Sequence, residues 1–369
     1  MATAKTDVAV VGGGIFGLSC AYACARRGLA VTVVEADRIA SGASGGIVGA
    51  MSPHVPERWI PKKQFQLEAL RAAPDYWATV EDLSGLPTGY GRVGRIMPLP
   101  DVAALDLANH RSKGAAALWR GLGEWRIEGV GFAADWLDPK QAGCGVAFDT
   151  FSARINPRLA CLALAEAARR CGAEIVEGWP VARVSDRGVA GPKGNITCDR
   201  VILAAGVPGF EILEQMLGQK AGAGVKGQSA LFDLNLPADT PTIFANGVYI
   251  VAHSGGGVAV GSTSENSWDD PTTTDAQLDA VIARARVMCP ALRDIEPIEY
   301  WAGLRPKARC RDTMLGPIPG FEKVFVATGA FKIGFGISNK VGEALADLVT
   351  GQPTFLPPSF TVESHLTGK

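Results

Sequence analysis

Val8-Ala9-Val10-Val11-Gly12-Gly13-Gly14-Ile15-Phe16-Gly17 is the stretch from which the fold is read. A short apolar run without polar alternation reads as a strand buried on both faces of a parallel sheet. The glycines then fall at the spacing Gly12, Gly14, Gly17. The first permits a tight turn, the second lets backbone approach a pyrophosphate, and the third lets the following helix lie close to the strand. An Ala-rich helical stretch runs from Ile15 to Arg27 and stops at Gly28. Val31-Thr32-Val33-Val34 is β-branched throughout and reads as the next strand, with Glu35 at its end. A carboxylate there can accept from both hydroxyls of a ribose, and a carboxylate in place of an arginine argues against a 2'-phosphate. This βαβ unit predicts a dinucleotide site; the unit alone does not separate NAD from FAD.

The segment Ala40-Ser41-Gly42-Ala43-Ser44-Gly45-Gly46-Ile47-Val48-Gly49-Ala50-Met51 follows. Small residues there leave much main-chain N–H accessible, which suits a long cofactor laid against backbone. Further along, Pro157 to Cys171 is a strongly amphipathic helix, and Arg200-Val201-Ile202-Leu203 is a strand running into Ala204-Ala205-Gly206. Val324-Phe325-Val326-Ala327 is another strand, leading through a glycine-rich turn into a final helix from about Gly336 to Thr350. Residues 62–83, 101–125 and 272–288 read as helices. Tyr90 to Met97 alternates like a strand, with Arg92 and Arg95 suggesting one wet face. Residues 225–263 alternate strand and turn.

Parallel signals thus stand at the start, middle and end, with meander signals between. That mixture predicts an α/β chain, α+β overall. A Rossmann-like dinucleotide domain is formed by 1–85, 149–224 and 303–369. A substrate domain on a mostly antiparallel sheet is inserted as 86–148 and 225–302. With 36 Lys and Arg against 37 Asp and Glu, the net charge of −1 gives no electrostatic footprint for nucleic acid. The eight cysteines form no CxxC pair and there are only four histidines, so no metal site is expected. No apolar run reaches 18 residues and no secretory signal is read, which with the cysteine usage predicts a reducing, cytoplasmic setting. Peripheral membrane contact stays open.

At this point the chain resembles the D-amino-acid-oxidase-like FAD-dependent oxidoreductases, a family that includes glycine oxidase, sarcosine oxidase and D-amino-acid dehydrogenases. Six motifs carry the resemblance, in order and over nearly the whole chain. They are Gly12–Gly17 with Glu35 and the Ser-Gly loop, then Asp149 with Ala153-Arg154-Ile155-Asn156-Pro157, then Val201 to Gly206. Val225-Lys226-Gly227-Gln228 with Tyr249-Ile250-Val251 and Gly261-Ser262-Thr263 is the fourth. Gly303-Leu304-Arg305-Pro306 with Asp312 and Pro317 is the fifth, and Ala327-Thr328-Gly329 through Gly334-Phe335-Gly336-Ile337 is the last. The Ser-Gly loop and the Gly-Leu-Arg-Pro segment are most similar to glycine oxidase.

The resemblance implies that Gly12, Gly14 and Gly17, with Ile15 and Phe16 opening the helix, cradle the pyrophosphate of FAD. Glu35 and Ala36 meet the adenosine ribose, and Val181 pairs with adenine through its backbone. Ser41, Ala43, Ser44, Gly45, Gly46, Gly49 and Met51 line the pyrophosphate and flavin, with Ala205 and Gly206 alongside. Gly334, Phe335, Gly336 and Ile337 face the pyrimidine edge, where a helix N-terminus favours negative charge. No Cys or His stands at a matching position for a flavin link, so FAD is expected to be non-covalent. Arg305 is the expected grip on a substrate carboxylate, bordering the cofactor as well, and a planar guanidinium suits that task. Tyr249 is expected to line the pocket. Relatives often carry His and Arg in the last turn where this chain has Ala330 and Lys332. Lys332 reads equally as a second carboxylate contact, a group assisting dioxygen, or a solvated side chain. His54 and His253 are further candidates for touching substrate.

The implied activity is oxidation of the Cα–N bond of a small or N-substituted amino acid by hydride transfer to flavin, giving an imine that hydrolyses. An alternative is a 2-hydroxy-acid dehydrogenase, which needs a base such as His54 or His253. Another is a flavin-carrying subunit of a hetero-oligomer. Dioxygen or a quinone-type carrier is the expected acceptor, and a homo-oligomer is possible on the sequence.

Overall fold

The computed structural model describes residues 6–367. The first strand, Thr6–Val11, lies at the heart of an eight-stranded sheet. In order across it run Met314–Pro317, Val324–Thr328, Gly194–Leu203, Thr6–Val11, Val31–Val34 and Glu174–Val176. All neighbours are parallel except the first pair, and a hairpin of Arg183–Ser185 and Gly188–Gly191 extends the long strand Gly194–Leu203. Val8, Ala9 and Val10 are fully buried, as their unalternating sequence requires. The crossover helix Ile15–Arg26 is buried along most of its length against helices Pro157–Arg170 and Gly334–Val349. Its close approach to the latter depends on Gly342, where a Cβ would come within 2.4 Å of the Ser19 carbonyl oxygen.

The second sheet also has eight strands. Their order is Pro297–Ala308, Gly222–Phe232, Val258–Gly261, Val248–Ala252, Thr242–Ala245, Arg95–Pro98, Val146–Asp149 and Trp125–Glu128. It is antiparallel except between Thr242–Ala245 and Arg95–Pro98. One face is apolar: Ala230, Ile250, Val258 and Val260 pack under Leu278, Val281 and Ala285 of helix Ala276–Met288. Burying each of the Val, Leu and Ile side chains contributes about 1.5–3 kcal/mol. The other face, described below, is turned toward the loops of the first sheet. A two-stranded ribbon, Ala50–Met51 with Ala153–Arg154, joins segments far apart in sequence.

Three local expectations change. Arg95 is buried rather than on a wet face: its Nη2 stands 2.8 Å from Oδ2 of the fully buried Asp149. That pairing, not solvent, accounts for a charge in the alternating pattern. The helix expected over 101–125 ends at Leu118. Left-handed Arg120 and Gly121 turn the chain, and Trp125 opens a strand of the second sheet. The final helix starts at Gly334, two residues earlier than its sequence suggests.

Candidate active site

Strand, turn and helix bring the first glycines together as their spacing demands. Gly12 has φ +114°, and a Cβ on it would meet the Ala204 carbonyl oxygen at 2.5 Å. At Gly17 a Cβ would fall 1.9 Å from the Gly12 carbonyl oxygen, so no larger residue fits. The N–H of Ile15, first in the helix, donates to Ser44 Oγ at 3.0 Å. Glu35 accepts from Gly13 N at 2.6 Å and from Asp37 N at 3.0 Å. The glycine turn, the acidic strand end and Ser44 thus form one cluster. Gly178 N and Trp179 N donate to the Asp37 and Glu35 carbonyls, which brings Val181 beside the same strand end. Ala36 and Ser41 are exposed there.

The small-residue loop crosses from this cluster toward the second sheet. Its alternate carbonyls are all engaged by the protein. Arg158 Nε donates to Gly45 O at 2.7 Å, His253 Nε2 bonds Ile47 O at 2.7 Å, and Ile155 N donates to Gly49 O at 2.9 Å. Arg158 belongs to helix Pro157–Arg170, whose start is fixed by the Asn156 side chain accepting from Leu159 N and by Pro157 in the first turn. Met51 is buried in the ribbon. On the opposite side of the cleft, the final helix begins with Gly334 close to Ile15 and Gly336 close to Gln66 and Leu70. The N-termini of the first and last helices therefore converge. Gly206, φ +62°, has no atom within 4 Å of where its Cβ would be. Two helix N-termini, glycines that allow close approach, and a carboxylate at the second strand's end are the donor set that fits a dinucleotide.

The inward face of the second sheet is nearly bare at its centre. Tyr249, Gly261, Ser229 and Trp301 stand in register across four strands, with Gly227 and Gly303 in the next row. The loop lies over this face: a Cβ on Gly261 would meet Val48 at 2.7 Å, and one on Gly46 would meet Trp301 at 3.5 Å. Arg305 reaches back over Gly227, where a Cβ would touch its Nη2 at 2.5 Å. Its Nη1 donates to Ser262 Oγ at 2.7 Å and its Nη2 to the Lys226 and Thr263 carbonyls, while Nε is buried without a partner. Among the described residues no carboxylate stands within ion-pair distance of it. Burial pulls its guanidinium down to about 10, with Glu265 acting the other way.

Tyr249 OH accepts from Arg95 Nη1 at 3.3 Å, and its ring lies 4.4 Å from that of Phe244. Lys332 is exposed and left-handed, φ +67°. Its ammonium and the Arg305 guanidinium both lie near the Phe331 ring, at 5.4 and 5.6 Å. Partial desolvation, then the like charges of Arg305 and Arg311, lowers the Lys332 pKa. Both histidines are committed elsewhere: His54 Nδ1 bonds Gln66, and His253 holds Ile47. Burial lowers the pKa of each.

Residues 7–348 match the family model described as FAD dependent oxidoreductase, DAO. The chain belongs to that family. Glycine oxidase of Pseudomonas aeruginosa is 32% identical to it over 95% of this chain and 97% of that one. The crystal structure of glycine oxidase from Geobacillus kaustophilus superposes with a TM-score of 0.87 at 25% identity, covering 98% and 99% of the two chains. That of iminodiacetate oxidase from a Chelativorans species gives 0.86 at 25% identity, covering 96% and 98%. The protein is thus an FAD-dependent oxidoreductase with the mixed α/β fold expected of it.

In this FAD-dependent oxidoreductase, Gly13, Ile15, Glu35 and Ser44 form one cluster and Gly334 lies beside Ile15. Arg305 lies within the strand Pro297–Ala308. Sequence reasoning missed Arg158, whose Nη1 and Nη2 fork onto Glu299 at 3.1 and 2.6 Å, and the Arg95–Asp149 pair behind Tyr249. Asp149 was visible as a motif residue; nothing local named its partner. Among the described residues no helix is long and apolar enough to cross a membrane.

Proposed function

We propose that the protein oxidises the Cα–N bond of a small amino acid or N-substituted amino acid. The carrying observation is Arg305: a guanidinium over a glycine-lined sheet face, bonded only to neutral oxygens, with Nε unpartnered and, among the described residues, no carboxylate within ion-pair distance. A desolvated cation in that state favours an anion that completes its hydrogen bonds. The substrate carboxylate fills this role, and fixing it aims Cα toward the cleft beneath the small-residue loop. Tyr249, steadied by Arg95, walls the pocket from three strands away on the same sheet face. Lys332 adds a second positive charge by the same Phe331 ring.

Gly12, Gly14, Gly17, Glu35, Val181, Ala205, Gly206 and the loop 41–51 hold non-covalent FAD, with residues 334–337 at its far end. Bound FAD supplies the acceptor for the hydride leaving Cα. The amine enters neutral, so loss of hydride leaves a protonated imine; water adds to it and releases a 2-oxo acid and an amine or ammonia. No side chain is required as a base, and orientation supplies most of the rate. The commitment of His253 to Ile47 and of His54 to Gln66 favours this over hydroxy-acid oxidation, which needs a free base near the alcohol. The segments 1–85, 149–224 and 303–369 serve the cofactor, and 86–148 with 225–302 the substrate, except that Arg305, on the edge strand of the second sheet, reaches the substrate from the third cofactor segment. Dioxygen or a quinone-type carrier takes the electrons away.

The test is anaerobic mixing of the yellow holoprotein with glycine, sarcosine, D- and L-amino acids, iminodiacetate and 2-hydroxy acids. Bleaching by at least one amine is expected. Bleaching by hydroxy acids alone, or by no compound in the panel, overturns the proposal.

A further inference from the structure

We propose that the second sheet sets the position of the loop 45–49, with His253 as its positioning residue and the Arg158–Glu299 fork as a second tie. The inference rests on that loop being the FAD cradle. Its three alternate carbonyls are held by Arg158, His253 and the Ile155 N–H. One of these donors stands at the end of a strand of the second sheet, since His253 follows Val248–Ala252 directly. Another is coupled to that sheet, because Arg158 forks onto Glu299 of the strand that also carries Arg305. Val48 lies against Gly261 of the same sheet. The loop is therefore placed by the side of the protein that binds substrate, not by its own flanks alone.

His253 is built for one fixed task. It is 5% exposed, and the Ile47 carbonyl accepts, so the proton sits on Nε2. Its Nδ1 is buried without a partner. Arg154, itself 2% exposed with Nε and Nη1 unpartnered, stands near enough to oppose a second proton on the ring. Burial, first, and this like charge keep the imidazole neutral, with a single donor aimed at Ile47. Losing that donor strands a carbonyl inside the loop that must lie against the cofactor.

The experiment compares His253→Gln, His253→Asn and Glu299→Gln with the parent by FAD titration of the apoprotein, alongside apoprotein melting. A glutamine amide nitrogen can stand where Nε2 does; an asparagine amide cannot reach it. FAD affinity should fall about tenfold or more in His253→Asn and stay within about threefold in His253→Gln. Glu299→Gln, at an exposed pair, should fold normally and weaken FAD by a few-fold. A merely structural histidine would make affinity follow apoprotein melting, with Gln and Asn alike. Equal FAD affinity in His253→Asn, Glu299→Gln and parent overturns the proposal. Gly46→Val separates the two premises. If that variant also binds FAD normally, the loop is not the cradle; if it alone loses FAD, the cradle stands and the ties are wrong.

Discussion

Asp149→Asn tests how the wall behind Tyr249 is held. The Asp149 carboxylate is 0% exposed and accepts from Phe151 N, Ser152 N and Ser152 Oγ at 2.9, 2.7 and 2.6 Å. Arg95, 5% exposed, faces it at 2.8 Å, a buried ion pair. An amide keeps much of the hydrogen bonding but removes the charge, stranding the guanidinium beside Tyr249. Breaking a buried pair from one side costs about 3–5 kcal/mol. At about 2–4 °C per kcal/mol for a large domain, melting should fall by roughly 10 °C. Arg95→Met should cost a comparable amount, because it strands the carboxylate. The double change Arg95→Met with Asp149→Asn removes both charges while the amide oxygen still accepts from Phe151 N and Ser152 N, and it should recover at least half of either single loss. Calorimetry or denaturant melts on all three variants provide the cycle. Additive losses, with the double variant worse than either single one, would refute the ionic account and leave simple packing.

Arg305→Lys keeps the charge but loses the fork; KM for the amine should rise about 10- to 100-fold, with kcat changed less. Gly17→Ala drives a Cβ into the Gly12 carbonyl, so the purified protein should contain little or no FAD, read by its visible absorbance. Lys332→Met should raise KM for the anionic substrate most at low salt, read from an ionic-strength series. Burial lowers the pKa of His54, His253 and His365 in the folded state. The unfolded chain therefore takes protons first, and stability should drop as pH falls through about 6.5, levelling once the folded-state values are passed. Denaturant melts from pH 8 to 5 would show it, and His365→Gln should flatten part of the slope.

The first sheet and its helices were legible because their signals are local. Gly12, Gly14 and Gly17, the β-branched run Val31–Val34 and the Asn156-Pro157 helix start each fix their own neighbourhood. The second sheet was legible only as a series of strands. Its order depends on partners far along the chain, such as Thr242 against Arg95 and Gly222–Phe232 against Pro297–Ala308. Arg305 was legible as a motif residue, but Pro306 beside it, of a type that breaks most ladders, hid the strand that carries both. Its strand, however, lies at the sheet's edge, where a missing N–H is tolerated. Trp119, Leu122 and Trp125 recur at helical spacing and so prolong the apparent helix past the turn at Gly121. Arg95 looked solvated because its counter-charge, Asp149, is remote in sequence. His253 drew notice only as an isolated histidine; no short-range pattern joins it to Ile47.

The most direct measurement of the central claim is a spectral titration of the holoprotein with a simple carboxylate that cannot be oxidised, in parent and Arg305→Met. A saturable shift of the flavin bands in the parent, lost or weakened at least tenfold in the variant, is the predicted result. Identical titration curves in the two proteins would show that Arg305 does not hold the carboxylate beside the flavin.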